Sequence, residues 1–332
     1  MKRIIFSAMA ALMLSLFSNN ASAGSWRISS KPDAKANFES INAAMSSADV
    51  LAGDTLYLDP GTVLQGPQTV KKSVTIIGTG YFLKDVAAKE AIIEELSVEA
   101  SNVKVEGCYS INLSVGNGLD NVVIERCKIK ISNIYSDNAK IYSCYIYDRI
   151  SISGRQNVEI SNCIILGYIR SARKSSITNN IILRYSRYDN LLHDITNSKI
   201  ANNIIINTFN GSNNVTIGNV SLSDQNMITN NVLSNDADNA FADYPDNKFI
   251  GAKPEDVFTM EGTADEQYRL KEDSPAKGYG QSGYDCGAYD GPFPYVVSGH
   301  PRFMPYIYDA IIPNQPTDGK LNVTLKIRTQ NE

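Results

Sequence analysis

Short runs of alternating apolar residues, such as Val122-Val123-Ile124 and Ile129-Lys130-Ile131, recur through the middle of the chain between polar stretches. β-Branched residues in such runs read as strands, and nothing between them has helical apolar spacing. The runs are themselves periodic. The pattern aliphatic-x-x-Cys/Asn occurs at Val105 to Cys108, Ile124 to Cys127, Ile141 to Cys144, Ile160 to Cys163, Ile177 to Asn180, Ile200 to Asn203 and Ile228 to Asn231. Its intervals are 19, 17, 19, 17, 23 and 28 residues, with a short degenerate turn at Val215 to Asn219 inside the longest. Self-similarity near 20 residues indicates a solenoid.

Leucine-rich repeats share this period but need Leu-x-Leu in a strand-plus-helix unit, whereas the aliphatics here are mainly Ile and Val. A left-handed hexapeptide helix needs a strict six-residue aliphatic phase, which coils wavering between 17 and 23 residues lack. The expected class is therefore all-β, a single-stranded right-handed parallel β-helix in which turns of unequal length separate short sheets. Coils stack about 4.8 Å apart, so equivalent positions form ladders. Asn180, Asn203 and Asn231 are expected to form an inward asparagine ladder. Cys108, Cys127, Cys144 and Cys163 extend it toward the N-terminus as small, effectively apolar core residues. Disulfides between neighbouring rungs stay open, since ladder spacing falls in the allowed Cα separation. Zinc is not expected, because one straight column does not converge to a tetrahedron.

Ahead of the coils, apolar residues at 38, 41, 44, 45 and 48 give an amphipathic helix over 37–48, the cap that a solenoid end requires. Strand-like Ala52 to Gly61 follows, including Gly53-Asp54-Thr55 and Pro60-Gly61, and then Lys72 to Gly80 with Ser73-Val74-Thr75-Ile76-Ile77-Gly78. Here the chain resembles the pectin-lyase-like superfamily of secreted β-helix proteins, whose first rungs commonly read as a short helix, then G-D-T-I-x-V-x-P-G, then S-V-T-I-x-G. A second likeness lies in Arg269-Leu270, Ser274-Pro275-Ala276 and Asp285-Cys286-Gly287-Ala288, similar to the closing segment of many bacterial members, where such motifs mark the last coil. The resemblance spans about residues 37 to 291 and specifies fold rather than reaction. Beyond Gly291, strand-like Phe303 to Ile312 and Leu321 to Thr329 flank a Pro-Asn-Gln-Pro-Thr-Asp-Gly turn, a hairpin-like tail. The expected organisation is a signal peptide over 1–23, a β-helix domain over 24–291 and a tail over 292–332.

The signal peptide reads from Lys2 and Arg3, the apolar run Ile4 to Phe17, and Ala21-Ser22-Ala23 before Gly24. The run is too short to span a membrane, and no later segment approaches that length. Losing Lys2 and Arg3 takes two positive charges from a net of −4 and leaves −6. An acidic chain is not expected to bind nucleic acid. The expected location is exported: periplasm, cell surface or medium.

In the superfamily that this chain resembles, the polysaccharide lyases cluster acids that bind calcium and use an Arg or Lys base, and many glycoside hydrolases set two or three carboxylates on one sheet. Proton abstraction next to a uronate needs a base and positive charge for the enolate; hydrolysis needs two carboxylates flanking the bond. The middle coils carry Asp148, Arg149, Arg155, Arg170, Arg173, Lys174, Arg184, Arg187, Asp189, His193 and Asp194. Arg170 and Arg187 both stand seven residues after a ladder position, and Tyr168 and Tyr185 five after, so each pair is expected to stack. Arg149, Tyr168, Arg170, Arg184, Tyr185 and Arg187 thus form the expected substrate face, with guanidinium groups for carboxylates and aromatic faces for sugar rings. The 23-residue coil supplies the insertion that solenoids commonly place on the binding face. Arg187, His193 and Asp189 are the candidates for catalysis, against the alternative of a merely solvated charged flank.

Asn235, Asp236, Asp238, Asn239 and Asp243 offer alternating oxygen ligands for calcium, but lack the glycine and distal Glu of an EF-hand. No cofactor is expected on that ground. The columns four and seven residues after the ladder repeat no acid, which weighs against a hydrolase. The function expected is that of a β-helix protein contacting a glycan or cell-surface polysaccharide through its middle coils. A lyase or hydrolase on an acidic glycan, and a structural or adhesive surface module, are the alternatives.

Overall fold

The computed structural model describes residues 23–83, 89–184, 191–207, 217–218, 225–234, 246–249, 253–300, 306–311, 320 and 323–328. The β-branched runs wind into a parallel β-solenoid built on two sheets. The first sheet stacks ten strands: Ser25–Ile28, Thr55–Leu58, Thr75–Ile77, Lys104–Glu106, Val123–Glu125, Lys140–Tyr142, Glu159–Ser161, Ser176–Thr178, Lys199–Ala201 and Met227–Thr229. Every pairing is parallel, and the repeat aliphatics fall in register from Val105 through Ile124, Ile141, Ile160, Ile177 and Ile200 to Ile228. All of these side chains are buried. The solenoid thus begins three rungs before the first repeat found in the sequence.

In the early coils the second sheet is made of long bent strands, among them Ile92–Val98, Tyr109–Val115, Lys128–Ile134 and Tyr145–Ser151. From the next coil on, each strand splits in two: Ile164–Ile165 with Tyr168–Arg170, Ile181–Arg184 with Leu192–His193, and Ile204–Asn207 with Ile217–Gly218. The added residues of the 23-residue coil therefore enter between the halves of the second sheet, as do most of those of the 28-residue coil, which gains three more after Gly218. The interior is a stack of inward Ile, Val and Leu from both sheets, each fully buried aliphatic contributing about 1.5–3 kcal/mol.

Between the sheets lies the polar ladder. Asn180, Asn203, Asn231 and Asn247 each accept, through Oδ1, the backbone N–H of the ladder residue one coil earlier, at 2.8–3.0 Å. Their amide groups donate to Ile160, Ile177, Ile200 and Ile228 carbonyls at 2.9–3.1 Å. The cysteines repeat this scheme with weaker bonds. Cys127 N–H and Cys144 N–H meet the sulfurs of Cys144 and Cys163 at 3.4 Å, and the thiols of Cys127, Cys144 and Cys163 reach the Val105, Ile124 and Ile141 carbonyls. All five cysteines are free and buried.

Immediately before each ladder residue from Cys108 to Asn231 the backbone turns through the left-handed region, at Gly107, Arg126, Ser143, Asn162, Asn179, Asn202 and Asn230. The last six form a row of outward hydrogen-bonding side chains that holds the C-terminal segment. Asn230 donates to Tyr279 O, and Gln281 N–H to Asn202 Oδ1. Asn162 donates to Ala288 O and Asp290 O, Ser143 to Phe293 O, and Arg126 to His300 O. The segment therefore runs back from the late coils to the early ones. Where the resemblance placed a last coil, residues 253–300 join neither sheet and lie along the outside. The reason is apolar: outward Tyr145, Ile164, Ile181, Ile204 and Val232 share one register column and form a second core with Val257, Phe258, Tyr268, Cys286 and Tyr295.

At the N-terminal end the capping helix is Ile41–Ser46, shorter than 37–48 because Ser40 caps it, its Oγ accepting from Ala43 N–H. Phe38 instead bridges to Ile28. Strands Tyr306–Ile311 and Thr324–Arg328 pair antiparallel as a third sheet. Among the described residues no helix is long and apolar enough to cross a membrane.

Candidate functional site

The second half of the second sheet presents two outward columns over the middle coils. One runs Asn112, Ile131, Arg149, Tyr168; the other Ser114, Asn133, Ser151, Arg170, His193. Their juncture depends on Gly167. A Cβ there would stand 1.4 Å from the Asp148 carbonyl oxygen, so only glycine lets this strand close onto the coil beneath and set Tyr168 over Arg149 and Arg170 over Ser151.

Arg170 is exposed, donates through Nε to Ser151 Oγ at 3.2 Å, and lies with its guanidinium carbon 5.8 Å from the Tyr168 ring centroid. Arg149 is half-buried and faces Asp148 at 3.7 Å. His193 Nδ1 lies 2.8 Å from Asp194 Oδ2, and Asp194 takes the left-handed backbone that ends the strand. On the adjoining turns, exposed Arg173 bridges to Gln156 and Thr196, with Lys174 beside it and Arg155 one coil away. The described part of the face is thus cationic on an acidic chain, and its residues can clamp carboxylates and stack against a sugar ring.

One pairing expected from the sequence is corrected. The coil neighbour of Arg170 is His193, not Arg187. Counting seven residues from the ladder fails because the longer coil inserts its extra residues after Arg184, before the strand resumes at Leu192. In the coil beneath, the neighbour of Tyr168 is Arg149. Tyr185, Arg187 and Asp189 lie outside the described residues, and Arg184 is described only as the end of its strand. The segment 235–243, weighed and set aside as a calcium loop, also lies outside them. Among the described residues no cluster of three His, Cys, Asp or Glu is arranged for a metal ion.

A second polar group went unnoticed in the sequence. Glu106 and Glu125 are register neighbours on the outer face of the first sheet, two residues before their ladder cysteines. Lys104 Nζ joins them at 2.7 and 3.0 Å. Burial works against the Lys104 ammonium, yet the two carboxylates outweigh it and raise its pKa. On the next coils Tyr142 donates its hydroxyl to Glu159 and stacks on Phe293 at 4.3 Å; burial and then Glu159 push that phenol up. An acid therefore does repeat on adjacent coils, contrary to the expectation from the other columns. Both carboxylates are tied to one lysine rather than set across a cleft from one another.

Beneath the C-terminal segment a pocket of 220 Å³ is lined by Ile181, Arg269, Lys277, Asp285, Cys286 and Tyr289. Arg269 stacks on Tyr289 at 4.9 Å, and the volume falls below the roughly 300 Å³ at which ligand pockets begin. The open face of Arg149, Tyr168, Arg170 and His193 is the better candidate. No family model, no curated protein and no solved structure matches the chain.

Proposed function

We propose that the chain is an exported β-helix protein that binds an acidic glycan along the outward face of its second sheet. The reading rests on one observation: coil register sets Arg149, Tyr168, Arg170 and His193 side by side on an open surface, with buried Ser151 holding Arg170 from the coil beneath. A polyuronate repeats carboxylates along a ribbon of sugar rings, and coils repeat cations and an aromatic ring along the solenoid axis. The likeness to the pectin-lyase-like superfamily in the first rungs supports a polysaccharide partner and export.

The test is affinity electrophoresis and calorimetry with polygalacturonate, alginate and a neutral glucan. Retarded migration in the acidic polymers alone, weakened by salt and lost in Arg170→Ala, is the expected result. Equal mobility in all three, or retardation unaffected by Arg170→Ala, refutes the reading. A lyase is the second reading, favoured by His193 beside Arg170 with Asp194 on its Nδ1. It requires ultraviolet-absorbing unsaturated ends to accumulate from a polyuronate and to vanish in His193→Gln.

A further inference from the structure

The first described residues carry a contact that the expected leader makes meaningful. Gly24 directly follows Ala21-Ser22-Ala23 and precedes Ser25–Ile28, the edge strand of the first sheet. Its backbone nitrogen lies 2.6 Å from Asp54 Oδ1. The other oxygen, Oδ2, accepts the Trp26 indole N–H and the Leu51 backbone N–H, each at 2.8 Å. Asp54 is only 3% exposed. Burial works against its charge, but the Leu51, Trp26 and Gly24 donors outweigh it and keep its pKa below the usual carboxylate value. All three donors are neutral groups, whereas a buried carboxylate is stabilised best by a cation in contact with it. Lys72 acts on the carboxylate while its own Nζ is held by the Ser47 and Val50 carbonyls. The fit at position 24 is close: a Cβ would stand 3.0 Å from both Asp54 Oδ2 and Trp26 Nε1. Glycine therefore serves the contact as well as the cut.

We propose that hydrolysis of the Ala23–Gly24 peptide bond supplies the missing cation, and that the new α-ammonium of Gly24 closes a buried ion pair on Asp54. Water adds across the C–N bond; Ala23 leaves as the carboxylate end of the leader, and the Gly24 nitrogen gains protons to become the ammonium. The catalyst is a leader peptidase that cuts after small-x-small. In the precursor the same nitrogen is an amide with one proton and no charge, so the edge strand is held by an ordinary hydrogen bond. After the cut it is held by a charge-assisted one, and leader removal locks the first rung onto the solenoid.

The experiment compares chains that begin at Gly24 with a free ammonium, at Gly24 acetylated, and at Ala23. Trp26 is the only tryptophan and its indole binds the same carboxylate, so urea unfolding followed by its fluorescence reads the site directly. The free-ammonium chain should show a folded-to-unfolded ratio about fivefold higher than either blocked chain, the difference between a charged and a neutral hydrogen bond. In Asp54→Asn that advantage should vanish. Equal midpoints for the three chains overturn the proposal, as does an advantage that persists undiminished in Asp54→Asn. Terminal sequencing of the exported protein should begin at Gly24, and any other start overturns it independently of how the variants fold.

Discussion

Replacing Asn203 tests the ladder where it is most connected. Its oxygen accepts from Asn180 N–H at 2.8 Å and from Asn180 Nδ2 at 3.1 Å. Its amide donates to Ile177 O and to Asn231 Oδ1, both at 2.9 Å. The residue is fully buried, so no water replaces what a truncation removes. Asn203→Ala takes the acceptor from Asn180 N–H and the donor from Ile177 O. At about 1–3 kcal/mol for each buried group left unsatisfied, the loss should be about 4 kcal/mol. Asn203→Cys should recover about half of it, because the thiols upstream meet the same two backbone groups, only at longer range. Asn203→Asp should be the worst of the three, since it sets an acceptor where the Ile177 and Asn231 oxygens need a donor. Urea unfolding followed by far-ultraviolet circular dichroism measures the order. A drop in the denaturant slope would mark unravelling of only some coils and would itself locate the weak point. The reasoning fails if Asn203→Ala stays within about 1 kcal/mol of the parent, or if the cysteine variant is no better than alanine.

Three further outcomes follow from named contacts. In the native protein all five thiols should resist iodoacetamide, and five should label after unfolding. Burial shuts the reagent out of all five; it also raises Cys144 and lifts Cys286 to about 12, while the shared hydrogen bond raises Cys108 and, with that from Cys144, lowers Cys127 to about 5 against its burial, so fast labelling in the folded state would contradict the closed ladder. Gly167→Ala should abolish retention on an acidic glycan gel and lower the melting temperature, because the strand must leave the Asp148 carbonyl; unchanged retention would separate that strand from the binding face. Asp54, whose pKa is depressed by folding, stabilises the fold above the usual carboxylate value of about 4 and ceases to do so as pH falls through its lower folded value. Trp26 emission should therefore shift below about pH 4 in the parent, and a profile identical to that of Asp54→Asn would refute this.

The coils were readable because one column needs the same chemistry in every turn: a small inward group that accepts one backbone N–H and reaches one carbonyl. Asn247 escaped the pattern because Tyr244 stands where an aliphatic residue was required. The adjacent row was unreadable for the opposite reason. Gly107, Arg126, Ser143 and Asn162 share a backbone conformation rather than a side chain, and sequence periodicity reports only side chains. The Arg170–His193 pairing was lost to an insertion whose length is visible but whose point of entry is not. Glu106 and Glu125 lay in plain view two residues before their cysteines, at an offset that faces outward on the first sheet. The C-terminal motifs gave the closing segment but not its direction, which depends on an apolar outer column whose covering partner lies about a hundred residues downstream.

The returning segment has a consequence for how this molecule could change size. An ordinary solenoid grows or shrinks by duplicating or deleting a turn, since each turn touches only its neighbours. Here a single stretch of chain is pinned at Asn230 near one end and Arg126 toward the other, so it acts as a ruler laid along the spool. A duplicated turn would outrun that ruler unless the segment lengthened in step, and lineages of this protein should therefore keep their number of turns and the length of this stretch fixed together.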